Sequence, residues 1–361
     1  MKAAIISLRS LSSKWVYEAM KRYFDEVDDI NLKDIRVNIT GEGMEITYQG
    51  KPFPKYDCIY AKGSFRYANI LRSITKKIYK KCYMPITSEM FSIGHDKLLT
   101  HIELVEHKIP MPSTYVTSTI EAAKEMLENV IYPIVIKFPQ GTQGKGVMFA
   151  DSYSSASSLM DAMESLQQSV LIQEFIDTGG EDIRAIVIGD KVAAAMVRKA
   201  KVGEKRANIH AGGVGEGLVM DVQSQQVAVN TAKALGIDIC AVDMLETPKG
   251  PVVIEINLSP GLQGITEATG IDIADKMARY MYKKTQERKG VVSKEQPTAQ
   301  ELIREVEKKT EKQLQQVISS LELRGERILL PKMVTTATKF NDKDEYVIEA
   351  DEGSLKIKKF A

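Results

Sequence analysis

A chain of mixed α/β and α+β character, built from more than one domain, is what this sequence predicts. Three observations carry that reading. The chain has 361 residues, and beyond roughly 250–300 residues single hydrophobic cores stop growing. A short apolar run at Lys2–Leu8 reads as a buried strand and Ser13–Asp25 as an amphipathic helix after it, the alternation that marks α/β structure. Further on, apolar runs with β-type composition meet at turns, as at Asp182–Ile188 and Val192–Lys201 around Gly189-Asp190. Ala241–Leu245 and Val252–Asn257 do the same around Thr247-Pro248-Lys249-Gly250-Pro251; both read as hairpins.

Bulk properties exclude several classes. The net charge of +1 gives no ground for direct nucleic-acid or membrane-surface binding. No segment reaches the ~20 apolar residues of a membrane span, and Lys2 leads into a strand rather than a long apolar leader. Cys58, Cys82 and Cys240 stand far apart without CxxC spacing, which fits a reducing, cytoplasmic setting and neither a disulfide framework nor a zinc site. His95, His101 and His107 recur six apart, which is no one-face helical spacing, so a histidine metal site is not expected.

Taken in order, Thr40–Tyr48, Lys51–Pro54 and Cys58–Ala61 add short strands and turns, and Trp15 belongs to a core-facing helix. No GxGxxG follows the first strand, so no dinucleotide site is expected. Ser92–His107 reads as one helix with Lys97 near its start, where a cation opposes the helix dipole. Thr117–Asn129 reads as another, capped by Thr117 or Ser118. Ile134–Lys137 is a strand that opens a loop with Gly141, Gly144 and Gly146. Such glycines let backbone N–H groups converge on an anion, although the spacing is not that of a Walker loop.

Val170–Ile176 is a strand that stops at Asp177–Asp182; a strand breaking into a hinge exposes the backbone groups that read a planar base edge. Arg198, Lys199, Lys201, Lys205, Arg206 and Asn208 cluster around Gly203, a basic loop suited to phosphates or to a carboxylate substrate. Val222–Leu235 is a helix, Ser259–Gly270 a loop and Ile271–Arg288 a closing helix. From Lys289 a polar linker leads to a capping box at Thr298–Glu301, a helix with Ile303, Val306, Leu314 and Val317 on one face, and strands at Arg327–Leu330, Tyr346–Ala350 and Leu355–Ile357. This tail reads as a small docking or oligomerisation unit.

The second hairpin is the chemical centre. Side chains two apart on a strand share a face, so Glu255 and Asn257 point one way and Ile254, Ile256 and Leu258 the other, toward a core. Pairing across the turn brings Asp243 beside them. Two carboxylates and an amide oxygen make a hard, all-oxygen set that holds Mg²⁺ when phosphates complete the coordination. Alone, the hairpin reads as well as an ordinary acidic turn; the rest of the chain decides.

Several pieces standing in one order decide it: Asp96-Lys97-Leu98, Ile136-Lys137, Gly141–Val147, Gln173–Ile176, Asp182-Ile183-Arg184, Arg198–Lys201, Arg206–Gly213, the Asp243/Glu255/Asn257 set, Asn257–Leu262 and Thr269–Ala274. Together they resemble the ATP-grasp superfamily and, within it, the RimK-type glutamate ligases, over roughly residues 1–288. The resemblance implies a pre-ATP-grasp domain (1–90) and two α+β subdomains (91–180 and 181–288) that clamp a nucleotide, with 289–361 appended. It implies ATP as cofactor with two Mg²⁺ (or Mn²⁺) ions. Lys97 and Lys137 would then touch the α- and β-phosphates beneath the loop of Gly141, Gly144 and Gly146. The backbone of Glu174 and Phe175 would read adenine, Asp182 would lie near the ribose, and Arg206, Ala207 and Asn208 would face the γ-phosphate. Asp243, Glu255 and Asn257 would hold the metals, with Arg206, Lys137 and Arg198 as the catalytic cations.

The implied reaction is ATP-dependent ligation of L-glutamate to an acceptor carboxylate through an acyl phosphate, the acceptor being a protein C-terminal tail or a glutamylated coenzyme. Such chemistry is mostly positioning and charge neutralisation. Aminoacylation of a carrier protein and a non-catalytic nucleotide-binding scaffold are the alternatives, and homo-oligomerisation is a role open to the tail. The sequence departs from the pattern at Lys62-Gly63, where an arginine is expected, and at Thr87, where an asparagine is.

Overall fold

The computed structural model describes residues 1–141, 146–200 and 214–290, together with 322–324, 327–329, 338, 340–341, 346–351 and 354–359. The chain divides into two compact units, Met1–Val292 and Ser293–Ala361.

The first unit opens with β1 (Lys2–Ser7), α1 (Leu11–Met20) and β2 (Glu26–Asn31). β3 (Ile35–Thr40), β4 (Gly43–Tyr48) and the short β5 (Lys51–Pro52) form an antiparallel meander, and β6 (Cys58–Ala61) returns to the first strand. The parallel order is β2–β1–β6. As the central strand, β1 is covered on both faces, which is why Ala3, Ala4, Ile5 and Ile6 are all fully buried. Helix α1 starts earlier and stops sooner than Ser13–Asp25, because the Ser10 hydroxyl caps it by accepting the Ser13 N–H (3.3 Å). Trp15 is half-buried and packs against the main core.

α2 (Ala68–Ile78), α3 (Met90–Ile93) and α4 (Lys97–Glu106) follow. The single helix expected over Ser92–His107 is broken at Gly94-His95-Asp96. Asp96 accepts the N–H groups of Leu98 (3.0 Å) and Leu99 (3.2 Å) and so starts α4 afresh, with Lys97 as its first residue.

Next come β7 (Thr114–Tyr115), α5 (Ile120–Leu127), β8 (Ile134–Lys137), β9 (Val147–Ala150), α6 (Tyr153–Ser165) and β10 (Leu171–Glu174). The cap of α5 is Thr119, which accepts the Ala122 N–H (3.2 Å), rather than Thr117 or Ser118. The antiparallel order is β7–β10–β8–β9. Period-two alternation splits this sheet: Ile134, Ile136, Ala150 and Ile172 pack with α5 and α6 in a small separate core, while Val135, Lys137, Phe149 and Gln173 turn to the opposite face and line a cleft.

The largest sheet is built from β11 (Glu181–Ile188), β12 (Lys191–Lys199), β13 (Val214–Gly217), β14 (Ile239–Thr247) and β15 (Gly250–Asn257), with α7 (Val222–Ala234) between β13 and β14. Its order is β13–β12–β11–β14–β15, antiparallel throughout. The stretch Ser259–Gly270, expected as loop, contains helix α8 (Gln263–Thr269), which Gly270 ends with φ of 68°. α9 (Ile273–Arg288) closes the unit, packing on α1 and on the sheet.

In the second unit β16 (Glu322–Arg324) pairs with β17 (Arg327–Leu329), and β18 (Tyr346–Asp351) with β19 (Ser354–Lys359), both antiparallel. The helix expected after Thr298 lies outside the described residues. Among the described residues no helix is long and apolar enough to cross a membrane.

Candidate active site

The cleft faces of the four- and five-stranded sheets enclose a cavity of about 910 Å³. That is near the upper end for a small-molecule site, roughly 300–1,000 Å³, and leaves room for a nucleotide and a second substrate.

One wall is a charge ladder across the large sheet. Register sets Asp182 directly opposite Arg198 and Arg184 opposite Asp243, so opposite charges meet on one face, and it sets the like-charged Asp243 and Glu255 opposite each other at the end of the row. Arg184 grips Asp243 with two bonds, Nε to Oδ1 at 2.7 Å and Nη2 to Oδ2 at 2.6 Å. Arg198 grips Asp182 in the same way at 2.6 and 2.7 Å and reaches Asp243 Oδ2 at 3.1 Å. Asn257 donates its Nδ2–H to Asp243 (3.2 Å), which leaves its amide oxygen available. Burial acts to raise the Asp243 carboxyl, but the charges of Arg184 and then Arg198 outweigh it and hold the group below the usual carboxylate range.

A bulge between Asp243 and Met244 alters the expected facing of β15. Asp243 pairs with Glu255 and Met244 with Val253, so Ile254 is the extra residue. Ile256 and Leu258 are buried as expected, but Ile254 is half-buried and borders the cleft.

The facing wall carries the lysines. Lys97 donates to the Gly141 carbonyl (3.3 Å) and stands 3.8 Å from Glu255 Oε1. Lys137 donates to Gln173 Oε1 at 2.5 Å, and Gln173, almost fully buried, donates in turn to the Thr114 hydroxyl (2.8 Å). Burial pulls the Lys137 ammonium down to about 8; Glu255 works against that shift and Lys97 adds to it. Gly146 has φ of 79°, and a Cβ there would meet Phe138 Cδ2 at 2.2 Å, so only glycine fits where the loop rejoins β9. Phe149 and Phe175 meet edge to face, with centroids 5.9 Å apart, and with Val135 and Leu245 they give this part of the cleft an apolar lining for a flat ring.

The structure therefore brings Lys97, Lys137, Gly141, Glu174, Phe175, Asp182, Arg198, Asp243, Glu255 and Asn257 to one cavity. Gly144, Arg206, Ala207 and Asn208 lie outside the described residues. Arg198, expected as a catalytic cation, is 4% exposed and engaged with two carboxylates, so its visible work is to position them. Arg184 and Gln173 had no assigned role in the sequence; their signal is that each falls on the cleft-facing register beside Asp243 or Lys137. His95 Nε2 and His101 Nδ1 are buried without a hydrogen-bond partner among the described residues. Burial lowers both rings to about 4, so neither adds charge at neutral pH.

Asp243, Glu255 and Asn257 all carry hard oxygen donors at the cleft; those of Asp243 already accept bonds from Arg184, Arg198 and Asn257, so Glu255 and the Asn257 amide oxygen are the ones turned open toward an ion. This set fits a Mg²⁺-like ion that also draws ligands from phosphates.

Comparison with known proteins agrees with the fold. Residues 94–281 match the model of the RimK-like ATP-grasp domain. A relative from Shewanella loihica, named a probable alpha-L-glutamate ligase, is 36% identical over 290 residues, covering 79% of this chain and 96% of the relative. A crystal structure of a RimK domain ATP-grasp protein from Sphaerobacter thermophilus superposes with a TM-score of 0.62 at 19% identity, covering 78% of this chain and 99% of that one. The ATP-grasp ligase PsnB, complexed with a minimal precursor, Mg and ADP, gives a TM-score of 0.61 at 15% identity, covering 79% and 98%.

Proposed function

The chain belongs to the RimK-like ATP-grasp family of ligases, and from that premise we propose that it joins the amine of L-glutamate to an acceptor carboxylate with conversion of ATP to ADP. Membership implies an ADP-forming ligase that binds ATP and uses a divalent cation. The observation that carries the finer reading is the placement of Asp243, Glu255 and Asn257 across one cleft from Lys97 and Lys137. Relatives of 34–37% identity named probable alpha-L-glutamate ligases support glutamate as the amine.

In this reading the acceptor carboxylate attacks the γ-phosphorus of ATP, and the bond to the β-γ bridging oxygen breaks. ADP leaves with that electron pair. The amine of glutamate, its ammonium proton given up to solvent, then attacks the acyl carbon. The carbon–oxygen bond to the phosphoryl group breaks, phosphate leaves with that electron pair, and the nitrogen sheds a second proton to give the amide. The metal held by Asp243, Glu255 and Asn257 supplies charge neutralisation of the phosphates when bound. Lys97 and Lys137 add fixed positive charge from the other wall, and Gln173 holds the Lys137 ammonium in place. Arg184 and Arg198 keep Asp243 ionised and aligned. In this reading adenine lies against the chain at Glu174 and Phe175, in the apolar slot beside Phe149; the Glu174 N–H itself already donates to the Ser113 carbonyl (2.9 Å). A protein tail or a glutamylated coenzyme is the acceptor class; PsnB, of the same fold, has been solved in complex with a precursor peptide.

The test is mass spectrometry of products from the pure protein with Mg-ATP and L-glutamate. The acceptors are a ribosomal-protein tail peptide, a glutamylated coenzyme and a carrier-protein tail. A glutamyl-sized increment on one acceptor establishes the ligase and names its substrate. ADP release without any increment moves the search to another amine or acid, and no ADP under any condition sinks the reading.

Lys137 gives a pH signature. Its proton leaves at about 8 in the free protein, and phosphate oxygens beside it would raise that value. ATP should therefore bind with net proton uptake just above pH 8, and its affinity should fall as pH rises further. Calorimetry in buffers of different ionisation enthalpy reads the uptake directly; Lys137→Met should abolish it and weaken ATP binding by about 10-fold or more.

A further inference from the structure

The carboxyl ends of β1 and β6 frame a part of the cleft that neither the nucleotide nor the metal assignment uses. In the order β2–β1–β6 the chain leaves β1 for one side and later returns on the other. The crevice between β1 and β6 is thus the topological switch point, where open parallel sheets bind ligands. α1 begins beyond β1 with Ser10 as its cap, and Lys62 follows β6, its backbone N–H donating to the Ile6 carbonyl (2.9 Å). Three bonds tie this crevice to the loop after the Asn257 strand and to the start of α8. Gly63 N–H donates to Ser259 Oγ (3.0 Å), Leu262 N–H donates to Ser12 Oγ (2.9 Å), and Ser12 Oγ donates to Gln263 Oε1 (2.8 Å).

Lys62 is the unexplained group. It is 5% exposed and lines the cavity, yet its ammonium has no ion pair or hydrogen bond among the described residues. The other cations of the cleft have partners: Arg184 and Arg198 hold carboxylates, Lys97 stands near Glu255 and Lys137 bonds Gln173. A largely buried lysine whose ammonium meets only the cavity is costly to the fold, and burial pulls this one down to about 8. A carboxylate arriving from the cleft would supply the missing counter-charge, and the free N–H groups of a helix N-terminus favour the same sign.

We propose that Lys62 and the first turn of α1 form a carboxylate subsite that holds a free, non-reacting carboxylate of the substrate. The proposal rests on the ligase reading above and refines it. Both glutamate and a glutamyl or C-terminal acceptor carry such a group beyond the one that reacts.

The experiment titrates the full chain by calorimetry with L-glutamate and with N-acetyl-L-glutamyl-L-glutamate, each with and without saturating Mg-AMPPNP. Wild type, K62M and K62R are compared. K62M should weaken one or both carboxylates by about 10-fold or more, with AMPPNP affinity unchanged, and K62R should stay within about threefold of wild type. K62M should also melt no lower than wild type, a result opposite to that of a lysine kept for structure. Loss confined to L-glutamate assigns the subsite to the incoming amino acid; loss confined to the blocked dipeptide assigns it to the acceptor. Wild-type carboxylate affinity in K62M overturns the subsite, as does a wild-type protein that binds neither probe. AMPPNP failing to bind while Lys62-dependent carboxylate binding persists would overturn the nucleotide reading instead and leave the subsite standing.

Discussion

Glu255→Gln should cut ADP formation from Mg-ATP by about 100- to 1,000-fold while leaving the chain folded. The five charged groups of the ladder are not equivalent. Asp243 is 2% exposed, and its oxygens already accept bonds from Arg184, Arg198 and Asn257. Glu255, with its side chain 31% exposed, is the carboxylate that opens toward the lysines, 3.8 Å from Lys97. Glutamine keeps its shape and removes its charge, so packing on β15 should survive. A second consequence separates a metal-binding role from a merely electrostatic one. Glu255 also favours the charged form of Lys137 and adds a negative potential beside the site for phosphates. Removing it should leave metal-free ATP binding equal or tighter, and abolish only the enhancement that Mg²⁺ gives. Titrating ATP with and without Mg²⁺ measures this. A variant with normal turnover, or one that loses metal-free binding as well, would refute the assignment.

Local periodicity made much of the cleft legible in the sequence. Glu255 and Asn257, two apart on one strand, do share a face, and Lys137 lies on the cleft side of β8 because Ile134 and Ile136 take the core side. What failed was set by contacts between residues far apart in sequence or by side-chain bonds to backbone. The bulge at Ile254 depends on how β15 meets β14, and no alternation within one strand reveals it. The break before Lys97 depends on Asp96 turning back to cap its own helix; the apolar pattern on either side continues as though nothing intervened. The pairing of Arg184 with Asp243 spans 59 residues. A basic cluster from residue 198 onward read as a surface for ligands, whereas its first member, Arg198, is held between two acids; its members from Lys201 on lie outside the described residues. Conversely, Lys62 stands out in the sequence only as a departure from an expected arginine, and it is its burial without a partner among the described residues that sets it apart.

Arg198→Met should destabilise the first unit by about 3–5 kcal/mol, the usual cost of breaking a buried pair from one side. The guanidinium is 4% exposed, bonds both oxygens of Asp182 at 2.6 and 2.7 Å and reaches Asp243 at 3.1 Å. Methionine fills similar volume, so the loss comes from charge rather than from a cavity. Arg198→Lys should recover little, because one ammonium cannot reproduce a fork that spans two carboxylates. The pH dependence checks the cause. In the wild type Asp243 is depressed, so its contribution is present above its ordinary unfolded value and is lost as pH falls through the lower folded one. Burial already holds the Asp182 carboxyl up at about 6 in the wild type, against the opposing charge of Arg198; in the variant that charge is gone and the folded value rises further. That variant gains stability, relative to neutral pH, as Asp182 takes up a proton. Protonation of Asp182 favours the folded state in both proteins and more so in the variant, while protonation of Asp243 costs the wild type, so the gap between wild type and Arg198→Met in urea unfolding should narrow from pH 7 toward pH 4. A gap independent of pH would mean that Arg198 acts through packing, and that Asp243 is aligned by Arg184 alone.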